Sequence, residues 1–192
     1  MAEIKSTLEL ALEKAAQIGK ASQQELQQVK WREQARHLTG EFLWEKIELA
    51  PELKKFPPEA QAVITEAVKE ILLRNITLPR TGVIDPANKR AQVGLIQVAR
   101  DKKAMQRQLQ EVGQVFQGYE QVRQNALQQL KAQFNSQLEG VKRTLENQMH
   151  RSLTIDAEQL PQFQEQWRTF EAQLNQQFEP LLEKHKRVMA TL

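Results

Sequence analysis

"MQRQLQEVGQVFQGYEQVRQNALQQLKAQFNSQLEGVKRTLENQM", residues 105–149, holds 12 glutamines in 45 positions, and its reading decides the fold. A disordered low-complexity tract has no reason to hold an apolar register. Steps of 3, 4 and 4 residues pass through Met105, Gln108, Val112, Phe116, Tyr119, Arg123, Leu127, Leu130, Phe134, Leu138, Val141, Leu145 and Met149. Only Gln108 and Arg123 depart from an apolar or aromatic stripe. Met105, Phe116, Leu127, Leu138 and Met149 recur every 11 residues. Three turns in 11 residues lie close to an undistorted α-helix, so the stripe favours a straight or slightly right-handed pairing over a heptad supercoil. The tract reads as helix, with glutamine filling much of its outer face.

The end of the chain carries a matching cycle. Phe163, Trp167, Phe170, Leu174, Phe178, Leu181, His185, Met189 and Leu192 follow steps of 4, 3 and 4, and only His185 is polar. Two such stripes joined by "RSLTIDAEQLP" predict an antiparallel helical hairpin of hendecad-like, coiled-coil character. A compact bundle would also accommodate a period this near 3.6. Asp156 with Gln159 suits a capping box and Ile155 with Leu160 a hydrophobic staple, or a one-turn prelude precedes a helix starting at Pro161. Pro180 should bend that helix.

Outward from the hairpin, the rest of the chain is also rich in helix formers. Glutamine reaches 28 of 192 residues, glycine and proline only seven each, and mean hydropathy is −0.61. Summed propensity points to an all-α fold. Ser6-Thr7-Leu8-Glu9 and Ser22-Gln23-Gln24-Glu25 fit capping boxes, and Gly19 suits a helix end. These signals predict a helix over 7–18 and a longer one over 23–49, stopped by Pro51, Pro57 and Pro58. Pro58 opens a helix whose wide stripe, Val63, Ile64, Ala67, Val68, Ile71 and Leu72, marks it as the most buried. Asp85-Pro86 reads as N-cap and first helical residue, and no proline follows until Pro161. The expected division is a helical region over 1–79 and a long hairpin over 80–192, its helices at about 86–150 and 157–190. A helix of about 65 residues would run ~95 Å, and one of about 31 would cover only half of it. Residues 86–112 would then need cover from the N-terminal helices or from a second copy of the chain, and self-association is the expectation.

Composition excludes several chemistries. With no cysteine there is no disulfide, thiolate metal site or cysteine nucleophile. His37, His150 and His185 form no HExxH pair, and no GxSxG elbow, Walker loop or GxGxxG occurs. Glu146 and His150, four apart, suit a surface contact, and His185 an interface histidine. No catalytic residue, cofactor or metal is expected. The N-terminus lacks the apolar core of a secretory signal, and no apolar run approaches the ~20 residues of a membrane span, so a soluble cytoplasmic protein is expected.

What remains are candidate contact surfaces. Lys89, Arg90, Arg100, Lys102, Lys103 and Arg107 face one acid, Asp101, and a continuous helix would place Arg100, Lys103 and Arg107 on one face. Such a stripe suits nucleic acid, an anionic membrane or a polymer granule, although a solvated helix face is commoner and the net charge of +3 is small. Trp31, Trp44 and Trp167 are expected within helices as core or interface anchors. The expected function is a non-catalytic scaffold or adaptor working through helix–helix contact, with surface binding by the 89–107 stripe as the alternative. The opening "AEIKSTLELALEK" resembles a group of small bacterial helical proteins of unassigned function. The general plan is also similar to stalk and stator subunits of rotary ATPases and export machines, and to granule-coating phasins. These resemblances imply helicity and assign no residue a role.

Overall fold

The computed structural model describes the backbone of residues 7–149 and 156–192, and the side chains of residues 23, 25–139 and 156–192. The described residues are all-α: α1 (Thr7–Leu43), α2 (Leu49–Leu53), α3 (Pro58–Arg74), α4 (Pro86–Val98), α5 (Lys102–Met149), a single 3-10 turn (Ala157–Gln159) and α6 (Pro161–Thr191). They form two compact units, Met1–Asn75 with Arg90–Ala99, and Ile76–Lys89 with Arg100–Leu192. A single cut at 79/80 does not reproduce this division, because residues 90–99 group with the N-terminal helices.

In the first unit α1 is one helix, where a break near Gly19 and a fresh start at Ser22 were expected. A glycine inside a helix costs only about 1 kcal/mol, which a long helix absorbs. The Ser6 cap lies outside the described residues. α1 also stops at Leu43, short of the expected 49. Lys46 N–H donates to Glu41 O and Glu45 N–H to Phe42 O, each at 3.0 Å, and Glu45 has φ +59. That is a Schellman closure with glutamate in the left-handed position that glycine usually fills. A left-handed non-glycine residue costs roughly 1–2 kcal/mol. Glu45→Gly is therefore expected to stabilise this unit by about 1 kcal/mol once glycine's greater unfolded-state freedom is subtracted. Urea melts test this, and an unchanged or lower midpoint would contradict it.

Ala35, Leu38 and Phe42 of α1 pack with Ala60, Ile64, Val68 and Leu72 of α3, and Leu49 of α2 is fully buried with them. The wide apolar stripe of α3 becomes this core. α4 enters it through Gly94, where a Cβ would lie 2.7 Å from Phe42 Cε1 and 2.9 Å from Leu72 Cδ1. Arg90 closes the end of α1. Its guanidinium lies 4.3 Å from the Phe42 ring centroid, donates to Phe42 O and Ile47 O, and pairs with Glu48 at 2.9 Å. A side chain from another helix thus ties the last turn of α1 to the loop that follows it.

In the second unit α5 and α6 pair antiparallel. Contacts run from Gln108–His185 through Tyr119–Asn175 and Arg123–Glu171 to Phe134–Phe163, one number rising as the other falls. Met105, Val112, Phe116, Tyr119 and Phe134 of the α5 stripe are buried, while Val141, Leu145 and Met149 fall outside the described side chains. Leu109, one position off the stripe, is buried too, so the face is wider than one line. On α6, Leu182 is buried and Leu181 is half exposed, the reverse of the expected register. Asp156 Oδ1 accepts from Glu158 N–H and caps the 3-10 turn, so α6 starts at Pro161 after a one-turn prelude. Ile155 of the expected staple lies outside the described residues.

The helix expected over 86–150 is two. Asp85 caps α4, as read, with Ala87 N–H donating to its Oδ1 at 2.7 Å. Ala99–Asp101 then break the chain, and Asp101 caps α5 through Ala104 N–H at 2.9 Å. Arg100 N–H donates to Leu192 O at 2.8 Å, so the end of α6 reaches the start of α5. Residues 90–99 meet Phe42 and Leu72, and α5 from Met105 onward meets α6. The length argument for a second copy over 86–112 thereby loses its premise.

Candidate interaction surfaces

The two stripes contain three polar exceptions, and all three have partners across the α5–α6 seam. Gln108 Oε1 meets His185 Nδ1 at 3.1 Å, so a polar position of the α5 stripe answers the one polar position of the α6 stripe. Arg123 pairs with Glu171 at 3.1 Å and lies 5.2 Å from the Trp167 ring centroid. Tyr119, fully buried, donates its hydroxyl to Asn175 Oδ1 at 2.9 Å. Burial holds the Tyr119 hydroxyl above the ordinary 10.0, the Glu171 carboxylate adds to this, and Arg123 and Arg80 oppose it. The fold therefore favours neutral tyrosine, and this contribution is complete below pH 10.0 and is lost as pH rises through the raised value. The chain has one tyrosine, so tyrosinate absorbance reports this position alone. Its onset is expected at higher pH in the native protein than in the urea-unfolded chain, and coincident titrations would contradict a buried Tyr119.

The expected basic stripe is redistributed. Arg90 belongs to the first unit and is engaged with Phe42 and Glu48; Lys89 belongs to the second and is exposed. Arg100 lies in the break between α4 and α5, so it cannot share a helical face with Lys103 and Arg107, which are exposed on α5. The hairpin supplies what the linear reading missed. The Gln108–His185 contact sets Arg107 level with Lys184, Lys186 and Arg187 of α6. Residues 100–111 and 183–187 together hold seven cations against three carboxylates. One cation, Lys186, pairs with Glu183 at 2.9 Å. Pairing the two stripes end to end in sequence would have set these α6 cations level with Arg107.

The tryptophans differ from expectation in one case. Trp31 is half-buried on α1 and lines a cleft of about 810 Å³ with Gln27, Gln28, Pro57, Glu59 and Val63. Trp167 lies under Arg123. Trp44, expected in a helix, follows the end of α1 and is 80% exposed. Near Trp31, Leu26 and Val29 are 60% and 61% exposed. Leu26 is nine positions, two and a half turns, from buried Ala35, so it stands on the opposite side of α1.

Among the described residues no three His, Cys, Asp or Glu come together as a metal site, and no helix is long and apolar enough to cross a membrane. His37 makes an i,i+4 contact with Glu41 at 3.6 Å, and the Glu146–His150 pair lies outside the described side chains. The described fold defines an all-α protein whose longest helix pairs antiparallel with its last. Over residues 50–191 the chain matches the family of unknown function DUF6657, and it belongs to that family. The match takes in all of α3 to α6, whereas the N-terminal resemblance falls outside it. No curated protein and no solved structure matches the chain.

Proposed function

We propose that this protein is a non-catalytic helical scaffold or adaptor whose α1 receives a helix of a protein partner. The observation that carries this reading is the pair Leu26 and Val29, exposed on the side of α1 opposite its own core contacts. Across the same stretch, Trp31 and Val63 offer an apolar cleft edged by glutamines. A helix with apolar side chains on two opposite sides suits lodging among other helices, which read each other through i, i+3 and i+4 anchors. The neutral amides around it add hydrogen-bonding capacity without charge repulsion. A photo-crosslinking residue placed at Val29 in the native cell is expected to yield discrete adducts that Leu26→Glu abolishes. Adducts no stronger than those from a crosslinker at exposed Glu139 would overturn the reading, and an adduct with the chain itself would identify the partner as a second copy.

A second reading, binding to an anionic surface, is favoured by Arg107 lying level with Lys184, Lys186 and Arg187 along the paired helices. Phosphate or lipid headgroups would bind such a cluster in a salt-dependent way. Arg107→Glu combined with Arg187→Glu is expected to abolish low-salt sedimentation with anionic liposomes and low-salt gel shifts of nucleic acid. Absence of salt-sensitive binding by the parent chain in both assays would dismiss this reading.

A further inference from the structure

The second unit contains a cavity of about 480 Å³ between α5 and the segment that precedes α4. Pro79, Ile84 and Phe116 give it an apolar wall, and Gly113 gives it depth. A Cβ built at Gly113 meets nothing within 4 Å, so this glycine leaves open space where any other residue would project. Glu120 supplies the one acidic group of the lining. Its Oε1 accepts from Gln124 Nε2 at 2.8 Å, while its Oε2 is buried and has no hydrogen-bond partner. A buried carboxylate oxygen without a donor is costly, and a charged donor is the strongest means of satisfying it. Arg123 does not serve: its Nε and Nη2 engage Glu171, and its Nη1, which lies beside Gly82, makes no ion pair with Glu120.

We infer that this cavity is a binding site for a small molecule joining an apolar, ring-sized group to a protonated amine. The apolar group rests against Phe116 and Ile84 beside Gly113, and the ammonium pairs with the Glu120 carboxylate that lines the cavity. The volume lies within the range of small-molecule sites, and the division into an apolar wall and one oriented polar group is how such sites fix a ligand's direction. The segment Pro79–Ile84 is held over the cavity by independent ties. Gly82 N–H donates to Pro79 O at 2.9 Å, Arg80 pairs with Glu179, and Asn88 Nδ2 donates to Thr77 O at 2.7 Å. Gly82 has φ +79, and a Cβ there would lie 3.2 Å from Glu120 Oε1, so glycine lets the backbone pass close to the carboxylate.

The test is a titration of the full chain with 2-phenylethylamine, followed by amide NMR shifts. Saturable shifts are expected at Gly113, Phe116, Glu120 and Gln124. Gly113→Leu fills the cavity while improving helix propensity, and should retain the fold and lose the shifts. Glu120→Gln keeps the shape and removes the charge, and should weaken binding by about tenfold or more. 3-Phenylpropionate, which carries the same ring and the opposite charge, should bind weaker by a similar factor. No saturation by the amine, unchanged saturation in a folded Gly113→Leu protein, or equal binding of the two probes would each overturn the inference.

Discussion

Replacing Gly94 by leucine is expected to destabilise the first unit by roughly 3 kcal/mol or more. The Cβ alone would stand 2.7 Å from Phe42 Cε1 and 2.9 Å from Leu72 Cδ1, and both neighbours are fully buried. Neither ring nor isobutyl group can retreat without disturbing the rest of the core, and leucine adds three further carbons. Even alanine should destabilise, because about 1 kcal/mol of gained helix propensity does not offset the clash. The sign is the informative part: Gly113→Ala, with open space around its Cβ, should stabilise by about 1 kcal/mol. Thermal melts by circular dichroism would compare the two. A stabilising Gly94→Ala would mean that α4 does not approach α1 and α3 this closely.

Arg123→Ala is expected to cost about 2–3 kcal/mol, chiefly in the α5–α6 pairing. Arg123 and Glu171 are 15% and 28% exposed, so water moderates the penalty that a fully buried orphaned carboxylate would incur. The substitution also uncovers Trp167 and removes a cation that lowers the Tyr119 pKa. The Tyr119 titration should therefore move further up, provided the variant stays folded. Arg123→Lys keeps a charge but lacks the planar fork, and should recover only part of the stability. Arg123→Ala together with Glu171→Ala should be less damaging than the sum of the two, since it leaves no buried charge alone. Additive losses would show that the pair is not coupled.

The all-α class and the buried faces of α5 and α6 were legible because the two stripes are long and periodic, and the burial of Met105, Phe116, Phe134, Phe163 and Leu174 follows from spacing alone. The polar interruptions Gln108, Arg123 and His185 were visible as such, but their partners follow only from the pairing of α5 with α6. Three features were hidden for definite reasons. The end of α1 is closed by a Schellman turn whose left-handed residue is Glu45, so the usual glycine signal is missing. The break at Ala99–Asp101 has neither glycine nor proline, and Asp101 looks in sequence like one more charged helix residue. Leu181 and Leu182 are adjacent leucines, and only contact with α5 decides which one turns inward. The basic surface was half legible. Arg100, Lys103 and Arg107 were visible as a run, but their company with Lys184, Lys186 and Arg187 depends on how the helices pair. The cavity at Glu120 gave no sequence signal, since a glutamate among glutamines reads as solvated surface.

The aromatic residues also furnish the molecule with optical reporters sorted by unit. Trp31 and Trp44 belong to the first unit; Trp167 and the sole tyrosine belong to the second. Trp44 stands in water and should be quenched readily by iodide, Trp31 responds to whatever enters its cleft, and Trp167 emits from beneath a guanidinium. Single-tryptophan variants would therefore let the unfolding of each unit be followed by its own light, with no label attached.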